Sequence, residues 1–155
     1  MEYIDIHSHL NFPDFDADRE AIIAKMKEKK IGAIVVGTTF ENSKKAVELA
    51  QKYDHIWAIV GCHPIHAEEG FDYEAYKKLA QEKKVVGIGE CGLDYKYPND
   101  KQKEVFEQQI KLAQELNKPL MLHISGFCAE RAHGFPSEWI ARPFSTVGVP
   151  LLGTS

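Results

Sequence analysis

The hydrophobic pattern alternates between two kinds of segment over the first 124 residues. Short apolar stretches predict five strands, at residues 3–9, 33–36, 56–60, 85–89 and 119–124. Segments with apolar residues at helical spacing lie between them and predict helices at residues 16–29, 41–53, 72–82 and 101–117. Strand 33–36 is continuously apolar, which is typical of a parallel sheet covered on both faces. The regular alternation predicts right-handed βα units.

The first predicted strand has a different pattern, because residues 4–9 read IDIHSH. Successive side chains of a strand face opposite sides, so Asp5, His7 and His9 share one face. Two imidazoles on one face can each offer a neutral nitrogen to the same cation. This spacing indicates a metal site at the end of the first strand, and a pair of ordinary histidines near the chain start is the alternative.

Three further polar residues lie at or just beyond the carboxyl ends of predicted strands: His63, Glu90 and His123. Active sites gather at this end in barrels of parallel strands, and ligands bind there in doubly wound sheets, usually at a Gly-rich turn. No GxGxxG turn is present. Imidazole and carboxylate together suit Zn²⁺, Mn²⁺ or Mg²⁺, which activate water and polarise phosphoryl or carbonyl oxygens. A surface glutamate and a core histidine remain alternatives for Glu90 and His123.

Composition limits the function classes. The chain of 155 residues is long enough for one domain with its own core, and its formal net charge of −4 gives no global basic field. Nucleic-acid binding would therefore need a local basic patch or a metal that meets phosphate. Three cysteines without a CxxC pair predict free thiols in a reducing compartment. Without a membrane-length apolar run or a signal region, a cytoplasmic location is expected.

Residues 125–155 break the pattern. They contain three of the seven prolines, four of the eleven glycines and no lysine, and they have neither helical nor strand periodicity. We therefore predict two regions, a folded unit over residues 1–124 and a tail over residues 125–155 that is non-native or disordered. A truncated or shifted reading frame or a joining artefact would explain the tail, and a genuine extension is the alternative.

Four stretches in order resemble the TatD family of metal-dependent deoxyribonucleases, which are amidohydrolase-like TIM barrels. They are residues 4–10 (IDIHSHL), 60–64 (VGCHP), 86–95 (VGIGECGLDY) and 108–123, which begins QQI and ends PLMLH. The resemblance runs from about residue 3 to residue 124. It implies an α/β fold of the (β/α)₈ type, two divalent metal ions (Zn, Mg or Mn), and hydrolysis of phosphodiester bonds in DNA, in single strands or at 3′ ends.

The resemblance also assigns ligands. His7 and His9 correspond to ligands of one metal, Glu90 to the catalytic carboxylate that bridges both metals, and His123 to a ligand of the second.

Three residues near these ligands receive supporting roles. His63 and Asp94 match motif positions beside the site, which implies orienting or substrate-contact roles. Asp5 faces the same way as the two histidines and is either a partner of the ligands or a polar residue that closes the barrel floor.

The sequence also departs from the family pattern, both in length and in the residues that follow His123. A full barrel takes about 250 residues, and only five strands are predicted here. After His123 the family continues with an Arg-Asp pair, another strand-end His and a late Asp. This chain has Ser125 and Gly126 instead, and no Asp follows Asp100. His133 lies outside any strand pattern and is not assigned. We therefore expect a truncated barrel with four of six ligands, weak or absent activity, and self-association through its open edges.

Two other functions remain open. An amidohydrolase acting on a small cyclic amide or lactone would share the HxH strand, but Glu90 occupies the place of the lysine that such enzymes carboxylate. A non-catalytic metal-binding or interaction fragment, with its open edge covered by a partner, is the alternative of another class.

Overall fold

The computed structural model describes residues 1–125. Five strands alternate with four helices, as the hydrophobic pattern predicts. In chain order they are β1 (Tyr3–Ser8), α1 (Arg19–Glu28), β2 (Ile31–Val36), α2 (Phe40–Lys52), β3 (Ile56–Val60), α3 (Tyr73–Ala80), β4 (Val85–Asp94), α4 (Gln102–Leu116) and β5 (Leu120–Ser125). Short 3₁₀ helices cover Pro13–Phe15 and Pro64–Glu69. Within residues 1–125, no helix has the length and apolar character needed to cross a membrane.

All strand pairs are parallel, and the order in the sheet is β1-β2-β3-β4-β5. This sequential order is that of a barrel, whereas a doubly wound sheet reverses direction at a switch point. The Nε2 atom of His7 on β1 lies 3.3 Å from the Oε2 atom of Glu90 on β4. In a flat sheet, three strand spacings of about 4.8 Å would separate the backbones of β1 and β4 by about 14 Å, and their side chains would not meet. The sheet of residues 1–125 is therefore curled into a half-barrel of five strands, and the predicted (β/α)₈-type fold is confirmed.

The core lies between the sheet and the helices. β2 and β3 contribute side chains with no exposed surface, among them Val35 and Val60. Small residues on α2, Ala46 and Ala50, let the helix approach the strands closely. The Thr39 side chain accepts a hydrogen bond from the Asn42 backbone N–H at 3.2 Å and caps the start of α2. This packing fixes the strand ends on which the polar residues lie.

β4 differs from the sequence prediction. It continues to Asp94 instead of ending at Gly89, so Glu90 lies within a strand and not in the loop that follows. The extension exists because β4 pairs with β5 from Cys91 to Asp94, after a shift of register beyond Ile88. A pairing partner 31 residues further along the chain, such as Leu122 for Cys91, leaves no mark on the local hydrophobic pattern.

The two edge strands also differ from a complete barrel. Of the described strands, β1 pairs only with β2, and β5 only with β4. Ile6 on β1 is 62% exposed and Leu122 on β5 is 53% exposed. Ser125 ends β5, and the remainder of the tail predicted for residues 125–155 lies outside the described residues. Exposed apolar side chains therefore lie at both open edges of the half-barrel.

Candidate metal centre

The first group of potential ligands brings together His7, His9 and Glu90. The His7 Nε2 atom lies 3.2 Å from His9 Nε2 and 3.3 Å from Glu90 Oε2, and His9 Nε2 lies 3.9 Å from the same oxygen. Two ligands bound to tetrahedral Zn²⁺ at about 2.0–2.1 Å would be about 3.3 Å apart. The three donor atoms therefore have the spacing that one cation requires.

A neighbouring strand orients the His9 ring. Its Nδ1 atom lies 3.2 Å from the backbone oxygen of Val36, the last residue of β2. Because a carbonyl can only accept a hydrogen bond, Nδ1 carries the hydrogen and Nε2 presents its lone pair to His7 and Glu90. The Phe12 ring packs on the same imidazole with centroids 4.6 Å apart. These contacts hold His9 in the tautomer that a metal ligand needs.

The second group contains His63, Glu90 and His123, whose donor atoms lie within 4.8 Å of one another. Glu90 Oε1 is 2.9 Å from His123 Nδ1, and the rings of His63 and His123 have centroids 4.1 Å apart. Glu90 is only 7% exposed. Its carboxylate thus directs Oε2 to the first group and Oε1 to the second.

His63 differs from His9 in the ring nitrogen that carries the hydrogen. Its Nδ1 atom accepts a hydrogen bond from the Ile65 backbone N–H at 3.3 Å and caps the Pro64–Glu69 turn. Burial, together with the neighbouring His123, lowers the pKa of His63 to about 4, so the ring is neutral near pH 7. A neutral ring that accepts at Nδ1 carries its hydrogen on Nε2. This state suits donation to a substrate oxygen better than metal ligation.

Asp94 lies behind His123. Its Oδ2 atom is 3.3 Å from His123 Nε2, and its Oδ1 atom accepts hydrogen bonds from the backbone N–H groups of Lys96 at 2.8 Å and Tyr97 at 3.1 Å. Burial of the carboxyl raises its pKa, but these hydrogen bonds together outweigh burial, and the net effect is a lowered pKa. An anionic carboxylate in this place can orient the ring of a metal ligand.

Asp5 acts on the backbone near the site. Its Oδ1 atom accepts a hydrogen bond from the His7 N–H at 3.0 Å. This contact is to the main chain of His7 and not to an imidazole ring. Asp5 therefore shapes the strand that presents the histidines.

Six of the seven residues singled out in the sequence form one cluster at the carboxyl edge of the sheet: His7, His9, His63, Glu90, Asp94 and His123. No role was predicted from the sequence for two buried glutamines beside this cluster, Gln102 and Gln109 on α4, although Gln109 lies in the motif that begins QQI. Their spacing of seven residues, on the helix face that also carries Val105 and Phe106, is the signal that could have found them.

A curled parallel sheet with a histidine–carboxylate cluster at its carboxyl edge is the arrangement typical of barrels of the metal-dependent hydrolase class. Comparison with protein families gives the finer identification: residues 4–136 match the model of the family described as TatD related DNase. The chain belongs to the TatD related DNase family.

Individual relatives agree with this family. A protein named uncharacterized metal-dependent hydrolase YabD, from Bacillus subtilis (strain 168), is 44% identical over 127 residues, which are 77% of this chain and 49% of YabD. The 3′-5′ ssDNA/RNA exonuclease TatD of Pantoea ananatis is 38% identical over 126 residues, 77% of this chain and 48% of that enzyme. The chain thus spans about half the length of these curated relatives.

Solved structures share the fold. The crystal structure of YjjV, a TatD homolog from Escherichia coli K12, matches with a TM-score of 0.70 and 32% identity, over 80% of this chain and 51% of that chain. A TatD family hydrolase from Entamoeba histolytica matches with a TM-score of 0.71 and 22% identity, over 80% of this chain and 50% of that one. The family resemblance of the sequence motifs is confirmed.

Proposed function

We propose that this chain carries the metal centre of a divalent-metal-dependent hydrolase that cleaves phosphodiester bonds in DNA, acting on single strands or 3′ ends. The proposal rests on the position of the Glu90 carboxylate, whose two oxygens face two separate groups of histidines. The Pantoea ananatis relative, named as an ssDNA/RNA exonuclease, supports a nucleic-acid substrate. We expect the hydrolytic activity of this chain to be weak, because only four of the six metal ligands in the family pattern have a counterpart in it.

The donor set fits divalent cations. His7, His9 and Glu90 would hold one ion, and Glu90 with His123 would hold the second. Nitrogen-rich ligands favour Zn²⁺ or Mn²⁺ over Mg²⁺. A bound ion of this kind lowers the pKa of water and neutralises charge on a phosphoryl oxygen.

The remaining residues of the cluster handle the substrate and the ligands. His63 donates a hydrogen bond from Nε2 to a phosphoryl oxygen, since its Nδ1 atom already accepts from Ile65. Asp94 fixes the ring of His123. Because the chain has no global basic field, contact with DNA depends on phosphate meeting the metal and His63. The buried free thiols Cys62 and Cys91 are consistent with the cytoplasmic location that forms part of the proposal.

The test is metal-dependent release of nucleotides from single-stranded DNA by the full chain. We expect release that a chelator abolishes, and that His7→Ala lowers by about 10- to 100-fold because one donor of the first group is lost. His55→Ala is the matched control, since His55 precedes β3 at the opposite end of the sheet and contacts Asp54. Robust activity that survives the loss of His7 would defeat the assignment of the site.

The open edges favour a second candidate, a non-catalytic fragment that associates with a second copy of this chain. Ile4 on β1 and Ile124 on β5 are 46% and 42% exposed. Edge strands with unpaired backbone groups and exposed apolar side chains are templates for pairing with another chain. A second copy of this chain has the same two edge strands, β1 and β5, and can therefore pair with the first.

Light scattering after size exclusion measures this association. We expect a mass above the 17.5 kDa of one chain, and a shift towards one chain when Ile4→Lys and Ile124→Lys are combined, because a lysine on an edge opposes pairing. Ile65→Lys is the control, since Ile65 is 46% exposed but lies on the Pro64–Glu69 turn. A wild-type chain that elutes as a monomer would contradict the self-association.

A further inference from the structure

Two buried glutamines connect α4 with the metal centre. Gln102 is 5% exposed and Gln109 has no exposed surface. Their spacing of seven residues places both on the helix face that packs on the sheet. A long polar side chain is rarely buried unless its hydrogen-bonding groups are satisfied. The partners of these two amides therefore indicate what they do.

Gln109 binds the residue that precedes His63. Its Oε1 atom accepts a hydrogen bond from Cys62 N at 2.8 Å, and its Nε2 atom donates to Cys62 O at 2.9 Å. Cys62 lies two residues beyond the end of β3, outside the part of that strand that pairs with its neighbours. The carboxamide thus takes the place of a neighbouring strand and fixes the backbone from which His63 projects.

Gln102 makes the same pair of bonds to Asp94. Its Oε1 atom accepts from Asp94 N at 2.8 Å, and its Nε2 atom donates to Asp94 O at 3.2 Å and to Tyr97 O at 2.8 Å. The Asp94 carboxylate in turn faces His123 Nε2 at 3.3 Å. A continuous chain of contacts therefore leads from α4 to a potential metal ligand.

We propose that Gln102 and Gln109 are positioning residues, two amide clamps by which α4 fixes the backbone of Asp94 and of the His63 loop against the metal centre. The proposal rests on the metal centre of the proposed function. Only a carboxamide offers a donor and an acceptor in the arrangement of a peptide group, so neither leucine nor glutamate can make both bonds. Gln102 acts on metal binding through Asp94 and His123, whereas Gln109 acts on the substrate-facing His63.

This division of roles gives a test that does not depend on activity. Mn²⁺ alone is titrated into the full chain by calorimetry, at a temperature at which circular dichroism shows every metal-free variant to be folded. We expect Gln102→Leu to weaken Mn²⁺ binding by about tenfold, as for other residues that orient metal ligands. We expect Gln109→Leu, an equally buried change on the same helix, and the exposed Gln114→Leu to stay within about twofold of wild type. Gln102→Met replaces Gln102→Leu if the latter does not fold.

A double-mutant cycle separates positioning from general loosening of the fold. If Gln102 acts through Asp94, Gln102→Leu adds less than about twofold to the effect of Asp94→Asn. Equal losses for Gln102→Leu and Gln109→Leu, or an unchanged effect of Gln102→Leu in the Asp94→Asn background, would overturn the proposal. Wild-type binding by all variants would overturn it as well. A wild-type chain that binds no Mn²⁺ would instead remove the metal centre and the proposed function with it.

Discussion

Glu90→Gln is expected to abolish the response of the protein to divalent cations. Glu90 offers one oxygen to His7 and His9 and the other to His123, so one substitution removes the negative charge from both candidate metal sites. The amide keeps the shape of the side chain but is a poor ligand for a cation. We expect a loss of activity of about 10²–10³-fold, which corresponds to about 3–4 kcal/mol of transition-state stabilisation.

Thermal unfolding with and without Mn²⁺ measures this effect. A cation at 100 times its dissociation constant stabilises the native state by about 2.7 kcal/mol, and Glu90→Gln should lose that increment. The metal-free variant should be as stable as wild type, or more stable, because a buried charge has been removed. Glu107→Gln, on the exposed side of α4, is the control. An undiminished Mn²⁺ shift in Glu90→Gln would show that the cation binds elsewhere.

Gly92→Ala is expected to have the largest effect on the fold of the site. Gly92 has a φ of +148°, and a Cβ added there would overlap the backbone oxygen of His123 and lie 3.0 Å from its carbonyl carbon. The partner is main chain in β5, so no side chain can rotate away. Backbone strain and overpacking each cost about 1–3 kcal/mol. We expect the free energy of unfolding to fall by about 3 kcal/mol or more, with loss of Mn²⁺ binding as β5 moves His123 away from Glu90.

Gly70→Ala separates these two contributions. Gly70 also has a positive φ, +90°, but a Cβ there would meet nothing within 4 Å. It should therefore lose only the backbone contribution, about 1–3 kcal/mol, and retain Mn²⁺ binding. Urea unfolding and Mn²⁺ titration of both variants give the comparison. Equal losses of Mn²⁺ affinity in the two variants would contradict a direct role for the β4–β5 contact.

Much of the fold could be predicted because its determinants are local. The alternation of apolar segments depends on neighbours within one turn or one strand, and within residues 1–125 it located the five strands and the four α-helices. The residues of the candidate site could be named from the sequence because each belongs to a short motif. The end of β4 could not be located, since residues 91–94 become a strand only by pairing with β5.

The sequence by itself determined the class of fold, the order of its elements and the residue types of the candidate metal centre, because periodicity and motif chemistry are properties of contiguous residues. The tertiary structure decided how those residues meet. It divided the Glu90 carboxylate between two histidine groups, set the hydrogen positions of His9 and His63, and placed Gln102 and Gln109 behind the site. Such contacts join atoms far apart along the chain and depend on how the sheet curls and where α4 packs on it, which no local pattern of residues encodes.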